Sequence, residues 1–169
     1  MKEGYAHDVL TVVDEQRSNV LALLQALAEA ESPSDVPAAQ GPVFDLIADA
    51  LDPLGYDVLR LPGQETGGQL YARPSHRDAS RSAQLMLGHV DTVWPLGTLA
   101  EMPVEQRNGC LYGPGVLDMK GGIAQMIFAL RALDQLSLTP PLQPVIFLNS
   151  DEEVGSFESR PRIRRLAQI

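Results

Sequence analysis

The stretch Gly88-His89-Val90-Asp91-Thr92-Val93-Trp94-Pro95 puts a histidine and an aspartate two residues apart, directly after the apolar run Leu85-Met86-Leu87. Neutral imidazole is a good ligand for a divalent metal, and its second ring nitrogen needs a partner that fixes the tautomer. Asp91 is close enough in sequence to be that partner. Two further acidic sites, Asp118 and the pair Glu152-Glu153, also follow apolar stretches. A carboxylate has two oxygens and can bridge two ions, which makes Asp118 a candidate bridge. Neighbours in extended backbone point opposite ways, so one glutamate of the pair can bind metal while the other takes a proton from water. Two ions about 4 Å apart would polarise a carbonyl and activate that water. Taken singly these signals are ordinary: a lone His-x-Asp is more often a satisfied core or surface pair, and Glu152-Glu153 would be a solvated loop. Together they suit a metal-dependent hydrolase.

Such residues must be brought together by the elements between them. Leu10, Val13, Val20, Leu21, Leu24 and Leu27 recur at helical spacing and predict one helix over 9–31, broken by Ser32-Pro33-Ser34. Ser34 or Asp35 is a candidate cap for a second helix with Val43, Leu46, Ile47, Ala50 and Leu51 as its stripe, although Gly41-Pro42 would kink it or delay its start. Residues 56–61 and 69–73 read as a hairpin across a Gly-rich turn. Residues 83–88 and 144–149 are short, nearly continuous apolar runs, as expected for strands buried on both faces. A short strand is expected over 108–112, a helix over 119–136 and a last helix over 159–167, with Pro161 near its first turn. Strands alternating with helices predict an α/β domain with a mixed, largely parallel sheet flanked by helices. In open sheets of this kind, sites form beyond the carboxyl ends of strands. His89 and Asp91 follow one buried strand, Glu152 and Glu153 the other, and Asp118 lies in a turn before a helix.

The bulk properties narrow the partners. A formal charge of −9 over 169 residues argues against nucleic acid or an anionic membrane, both of which need a basic surface. Cys110 is the only cysteine, so neither an intrachain disulfide nor a thiolate metal cluster can form. No apolar run approaches the ~20 residues of a membrane span, and the first residues carry no apolar signal-peptide core. The cytoplasm is the expected location.

Three stretches carry a family resemblance: Gly88-His89-Val90-Asp91-Thr92-Val93, Gly113-Pro114-Gly115-Val116-Leu117-Asp118-Met119-Lys120-Gly121-Gly122, and Asn149-Ser150-Asp151-Glu152-Glu153-Val154-Gly155-Ser156. They resemble, in order and in spacing, three signatures of the zinc exopeptidase family of glutamate carboxypeptidase, aminoacylase, acetylornithine deacetylase and succinyl-diaminopimelate desuccinylase. The resemblance implies two zinc ions, with cobalt or manganese also compatible with such ligands. It implies that His89 ligates one ion, with Asp91 orienting it, and that Asp118 bridges both, through an unusual cis peptide to Met119. It makes Glu152 the general base and proton shuttle, and Glu153 a ligand of the other ion. Val93-Trp94-Pro95-Leu96-Gly97-Thr98-Leu99 is most similar to the glutamate carboxypeptidase branch. The implied reaction is hydrolysis of a peptide or amide bond next to a free carboxylate, with a small peptide or an N-acyl amino acid as substrate. Release of a C-terminal glutamate and deacylation of an N-acyl amino acid are the two variants.

The family pattern has a further acidic ligand, a last histidine and an inserted lid, which is its usual homodimerising surface. None of these precedes Ile169. Residues 1–169 are therefore expected to be the N-terminal part of a catalytic domain, with the lid and the C-terminal part of that domain absent. Its ligands would be His89, Asp118 and Glu153. A contrasting expectation is an inactive fragment serving as a binding or assembly module. Of the remaining residues, Gly121-Gly122 reads as tight-turn packing, Lys120 as structural or solvent-facing, and Asp151 as solvated or a cap. Cys110 reads as a small buried hydrophobe, and Trp94 as equally a mouth or a core residue. His7 and His76 read as surface residues. Arg160, Arg162, Arg164 and Arg165 suit the last turn and solvated face of a helix.

Overall fold

A computed structural model describes residues 3–168 of the chain. Two helices, α1 (Glu3–Glu15) and α2 (Arg17–Glu29), replace the single helix expected over 9–31. The break is one residue wide. Gln16 leaves helical geometry, yet its carbonyl still accepts the N–H groups of Asn19 and Val20. Its side chain donates to Gln135 at the end of α4 (Gly121–Gln135), a contact across the fold that local periodicity does not carry.

The next helix, α3 (Gly41–Leu51), begins at Gly41-Pro42 and not at Ser34 or Asp35. Proline is suited to a first helical turn, where its missing N–H would have had no partner. Val43, Phe44, Ile47, Ala50 and Leu51 are buried as a continuous stripe, and Leu46 is partly buried at its edge. Full burial of side chains of this size contributes about 1.5–3 kcal/mol each, so α3 is held chiefly by this face.

The main sheet has the order β1-β2-β6-β3, from β1 (Tyr56–Leu61), β2 (Gln69–Pro74), β6 (Gln143–Asn149) and β3 (Ala83–His89). It is mixed and flanked by helices, as expected, but it is not largely parallel. β1–β2 and β2–β6 are antiparallel, and only β3–β6 is parallel. The parallel pair needs a long crossover, which α4 supplies, whereas the β1–β2 hairpin joins the other side of β6 in the opposite sense. Every residue of β6 is buried, as its unbroken apolar run implies. β3 differs from expectation: Gln84 and Leu87 are exposed, because among the described residues β3 is an edge strand.

A separate hairpin pairs β4 (Glu105–Arg107) with β5 (Cys110–Tyr112) around Asn108-Gly109, both at positive φ. β4 is three exposed residues without an apolar pattern, so nothing in its sequence marks it. Cys110 is exposed on this hairpin and is not the buried hydrophobe expected. The last helix, α5 (Arg160–Leu166), has Pro161 in its first turn.

The core lies between α2, α3 and α4 and one face of the sheet, with Leu27, Phe44, Ile127 and Leu148 fully enclosed. Among the described residues, no helix is long and apolar enough to cross a membrane. For the site, the decisive feature is register: His89 and Asn149, the last residues of β3 and β6, face each other across the parallel pair. The loops that follow these two strands therefore leave the sheet side by side.

Candidate metal centre

His89 ends β3 and is 4% exposed. Its Nδ1 lies 3.1 Å from the Asp91 carbonyl and 3.4 Å from Asp91 Oδ1, so both the backbone and the side chain of Asp91 hold that nitrogen. On the other side of the ring, Nε2 lies 3.0 Å from Asp118 Oδ1 and 3.9 Å from Glu152 Oε2. Burial alone would lower the imidazole pKa. The bonds to Asp91 and Asp118 outweigh it and push the value up to about 9.

Asp91 is fully enclosed and works as an acceptor for several elements at once. Oδ2 accepts the Ser34 hydroxyl at 2.7 Å and the Glu153 N–H at 3.1 Å, and Oδ1 accepts the Glu152 N–H at 3.2 Å. Burial would raise its pKa, but His89, the Ser34 hydroxyl and the Glu153 N–H hold the carboxyl below its usual range. The aspartate expected to orient the histidine thus also sets the backbone of the Glu152-Glu153 turn.

Asp118 occupies the turn Val116–Lys120, where it and Met119 leave helical geometry. Helix α4 accordingly starts two residues later than the apolar pattern suggests. The Asp118–Met119 peptide is cis, as the resemblance implies. Gly115 sits at φ 68°, and a Cβ there would lie 2.7 Å from Thr92 Cγ2. Only glycine allows the Asp118 turn to approach the His89 loop so closely. Lys120 anchors the turn from below. It is buried, and its Nζ donates to the Ala30 carbonyl at 2.9 Å, at the carboxyl end of α2 where a cation is favoured. Burial lowers its pKa to about 8 against the opposing pull of Glu31. The solvent-facing alternative for Lys120 is therefore wrong, and the structural one is right.

Donor atoms of His89, Asp118 and Glu153 all lie within 4.8 Å of one another. Glu153 has its pKa raised, first by desolvation and then by the charges of Asp118, Asp91 and Glu152, with His89 opposing. Three carboxylates, those of Asp118, Glu152 and Glu153, thus crowd one imidazole. That surplus of negative charge, with one nitrogen and several oxygen donors, fits a divalent cation of the zinc, cobalt or manganese type. Glu152 stands at the rim with its side chain 54% exposed, free to reach a molecule in the cleft formed by His89, Asp118, Met119, Asn149 and Ser156.

The five residues singled out by sequence, His89, Asp91, Asp118, Glu152 and Glu153, meet at one edge of the sheet. Asp151 lies elsewhere: it is buried and accepts the Glu158 and Ser159 N–H groups in the turn before α5, so it is not solvated, and it does not bond the first helical turn. Trp94 is 41% exposed, which excludes a core role. His7 and His76 are exposed, as expected. The sequence offers Ser34 only as a candidate helix cap. Its hydroxyl instead reaches Asp91, and no local pattern in Ser32-Pro33-Ser34 signals this.

Residues 85–167 match the sequence model of peptidase family M20/M25/M40. Carboxypeptidase G2 of Pseudomonas sp. (strain RS-16) is 36% identical over 85 residues, covering 50% of this chain and 20% of that protein. Succinyl-diaminopimelate desuccinylase of Delftia acidovorans is 35% identical over 135 residues, covering 75% of this chain and 34% of that one. The chain thus spans no more than about a third of the length of these relatives. Among solved structures, the di-peptidase Dug1p from Saccharomyces cerevisiae superposes with a TM-score of 0.78 at 19% identity, over 98% of this chain and 38% of that one. Human carnosine dipeptidase 1 superposes with a TM-score of 0.74 at 22% identity, over 94% and 37%. At such identities the superpositions speak for the fold alone. The sequence match carries the assignment: residues 85–167, which hold His89, Asp91, Asp118, Glu152 and Glu153, are a segment of peptidase family M20/M25/M40.

Proposed function

We propose that the protein is the metal-binding part of a hydrolase that cleaves a peptide or amide bond next to a free carboxylate. The observation that carries this reading is the convergence of His89, Asp118 and Glu153 donors within 4.8 Å of one another, with Glu152 beside them. His89 Nε2 and Glu153 would each hold a separate zinc ion, with Asp118 contributing to both, and cobalt or manganese would suit the same donors. When bound, such ions polarise a carbonyl oxygen and make a neighbouring water more acidic.

The chain's own residues supply the rest. Asp91 holds His89 Nδ1, which leaves Nε2 directed at the ligand position. Glu152 takes a proton from the attacking water as its oxygen joins the carbonyl carbon. The same carboxyl then gives that proton to the departing nitrogen as the C–N bond breaks, leaving an amine and a carboxylic acid that loses the water's second proton to solvent. The reaction balances without a covalent enzyme intermediate. Similarity to a carboxypeptidase and to a desuccinylase favours two variants of one chemistry: release of a C-terminal residue such as glutamate, and deacylation of an N-acyl amino acid. A cytoplasmic location and a small peptide or N-acyl amino acid as substrate belong to the same proposal.

The test is a zinc, cobalt and manganese titration of the protein with metal content measured after dialysis, followed by assay of N-acyl amino acids and glutamate-terminated peptides. We expect tight metal uptake that Asp118→Asn and Glu153→Gln each weaken. Failure of the unaltered protein to retain any of the three metals would sink the reading.

A further inference from the structure

The stretch 30–34 lies outside the matched segment, yet it is laced to the site. Thr92 N–H donates to the Ser32 carbonyl at 2.9 Å, and Ser34 N–H donates to the Thr92 carbonyl at 3.1 Å, forming a parallel bridge between Pro33 and Thr92. The Ser32 hydroxyl donates to the Val90 carbonyl at 2.6 Å. The stretch is pinned from behind by Gln40, whose Nε2 donates to the carbonyls of Pro33 (2.9 Å) and Ser150 (3.2 Å). These bonds all end on backbone. Ser34 Oγ differs from them: it donates to the Asp91 carboxylate, with Oδ2 at 2.7 Å and the Thr92 carbonyl farther off at 3.4 Å.

That bond matters because of what Asp91 does. Its carboxylate has no access to solvent, so every lone pair must be met by protein. Oδ1 faces His89 and the Glu152 N–H, and Oδ2 faces the Glu153 N–H and Ser34. Ser34 is the one hydroxyl in that set among the described residues. It also comes from a part of the chain remote from the three site loops. Without it, Oδ2 keeps a single donor, and the plane of the carboxylate is less well defined. His89 and the Glu152-Glu153 turn both take their position from that plane.

We propose that Ser34 is a positioning residue of the metal centre, acting through Asp91 to set the His89 ring and the Glu152-Glu153 turn. The proposal rests on the metal-centre reading above. Groups that support a ligating histidine from behind typically change metal affinity by about 10–100-fold when removed.

The experiment is a cobalt(II) titration of the whole chain, followed by visible absorption, with thermal melting recorded for each variant. Ser34→Ala is expected to weaken cobalt binding by about tenfold or more and to alter the cobalt spectrum. Ser34→Thr keeps the hydroxyl and is expected to restore both. Ser32→Ala removes a bond of the same stretch that ends on backbone. It is expected to lower the melting temperature while leaving affinity within about threefold of the unaltered chain, as for a change without contact to the ligands. Should Ser34→Ala not fold, Ser34→Cys, similar in size and a weaker donor, takes its place with the same expectation. Unaltered cobalt affinity in a folded Ser34→Ala overturns the proposal. So does an equal loss in Ser32→Ala, which would mean that the stretch acts only by general stiffness. Absence of cobalt binding by the unaltered chain overturns the metal-centre reading itself, a result distinct from either.

Discussion

The two sides of the site differ sharply in burial. His89 and Asp91 have side chains 5% and 0% exposed, whereas those of Asp118 and Glu152 are 72% and 54% exposed. The buried side is a set of mutual hydrogen bonds in which each group is already satisfied. The exposed side is a set of carboxylates that repel one another and face the cleft. The difference separates two tasks. Geometry is stored where water cannot compete for the bonds, and charge is left where a cation or a substrate can reach it. Substitutions on the buried side should therefore act on folding and binding together, and those on the exposed side on function alone.

The largest expected effect on function alone comes from Glu152→Gln. On the proposed mechanism it should lower turnover by about 10²–10⁴-fold, the range for removing a general base, while the melting temperature and metal content stay near those of the unaltered protein. A fall in stability of the same order would erase the contrast between the two sides. Asp91→Ala should be the costliest change to the fold at the site. It leaves the Ser34 hydroxyl and two backbone N–H groups without their acceptor, an expected loss of about 3–5 kcal/mol by denaturant titration. A comparable loss of about 3–5 kcal/mol is expected for Phe44→Ala in the core, but with metal affinity intact, since Phe44 packs on α3 away from the site.

Asp118→Asn should cost metal binding but change stability by no more than about 0.5 kcal/mol, as for other exposed positions. A large destabilisation would show that the exposed side also holds the fold. The smallest effect lies at the far end of the sheet. Tyr56 donates its hydroxyl to the Pro144 carbonyl, and burial raises its pKa to about 12. Because the folded value lies above the ordinary 10.0, its contribution is complete below pH 10 and is lost as pH rises towards 12. Denaturation midpoints of the unaltered chain and Tyr56→Phe, compared over that interval, should converge as pH increases.

Much of this was legible in the residues because it is local. The unbroken apolar run of β6, the stripe of α3 and the Pro161 start of α5 depend on neighbours in sequence, and each appears where expected. The donors were legible for a related reason. Histidine and carboxylates after buried strands are exceptions to apolar patterning, and their order and spacing match a known set of signatures. What was not legible depended on partners far along the chain. The break at Gln16 answers to Gln135, the edge position of β3 to which strands pair, and the exposure of Cys110 to a hairpin that stands off the core.

The sequence by itself determined which groups could bind a cation and which elements would carry them, because side-chain chemistry and hydrophobic period are properties of short stretches. Tertiary structure alone decided how they meet. The in-register ends of β3 and β6 bring the His89 and Glu152-Glu153 loops together, and the burial of Asp91 makes it the common acceptor. It also turned Ser34 from a candidate helix cap into a donor to that carboxylate, across 57 residues of chain. A hydroxyl takes the acceptor that folding places within reach, and only the packed chain specifies which one that is.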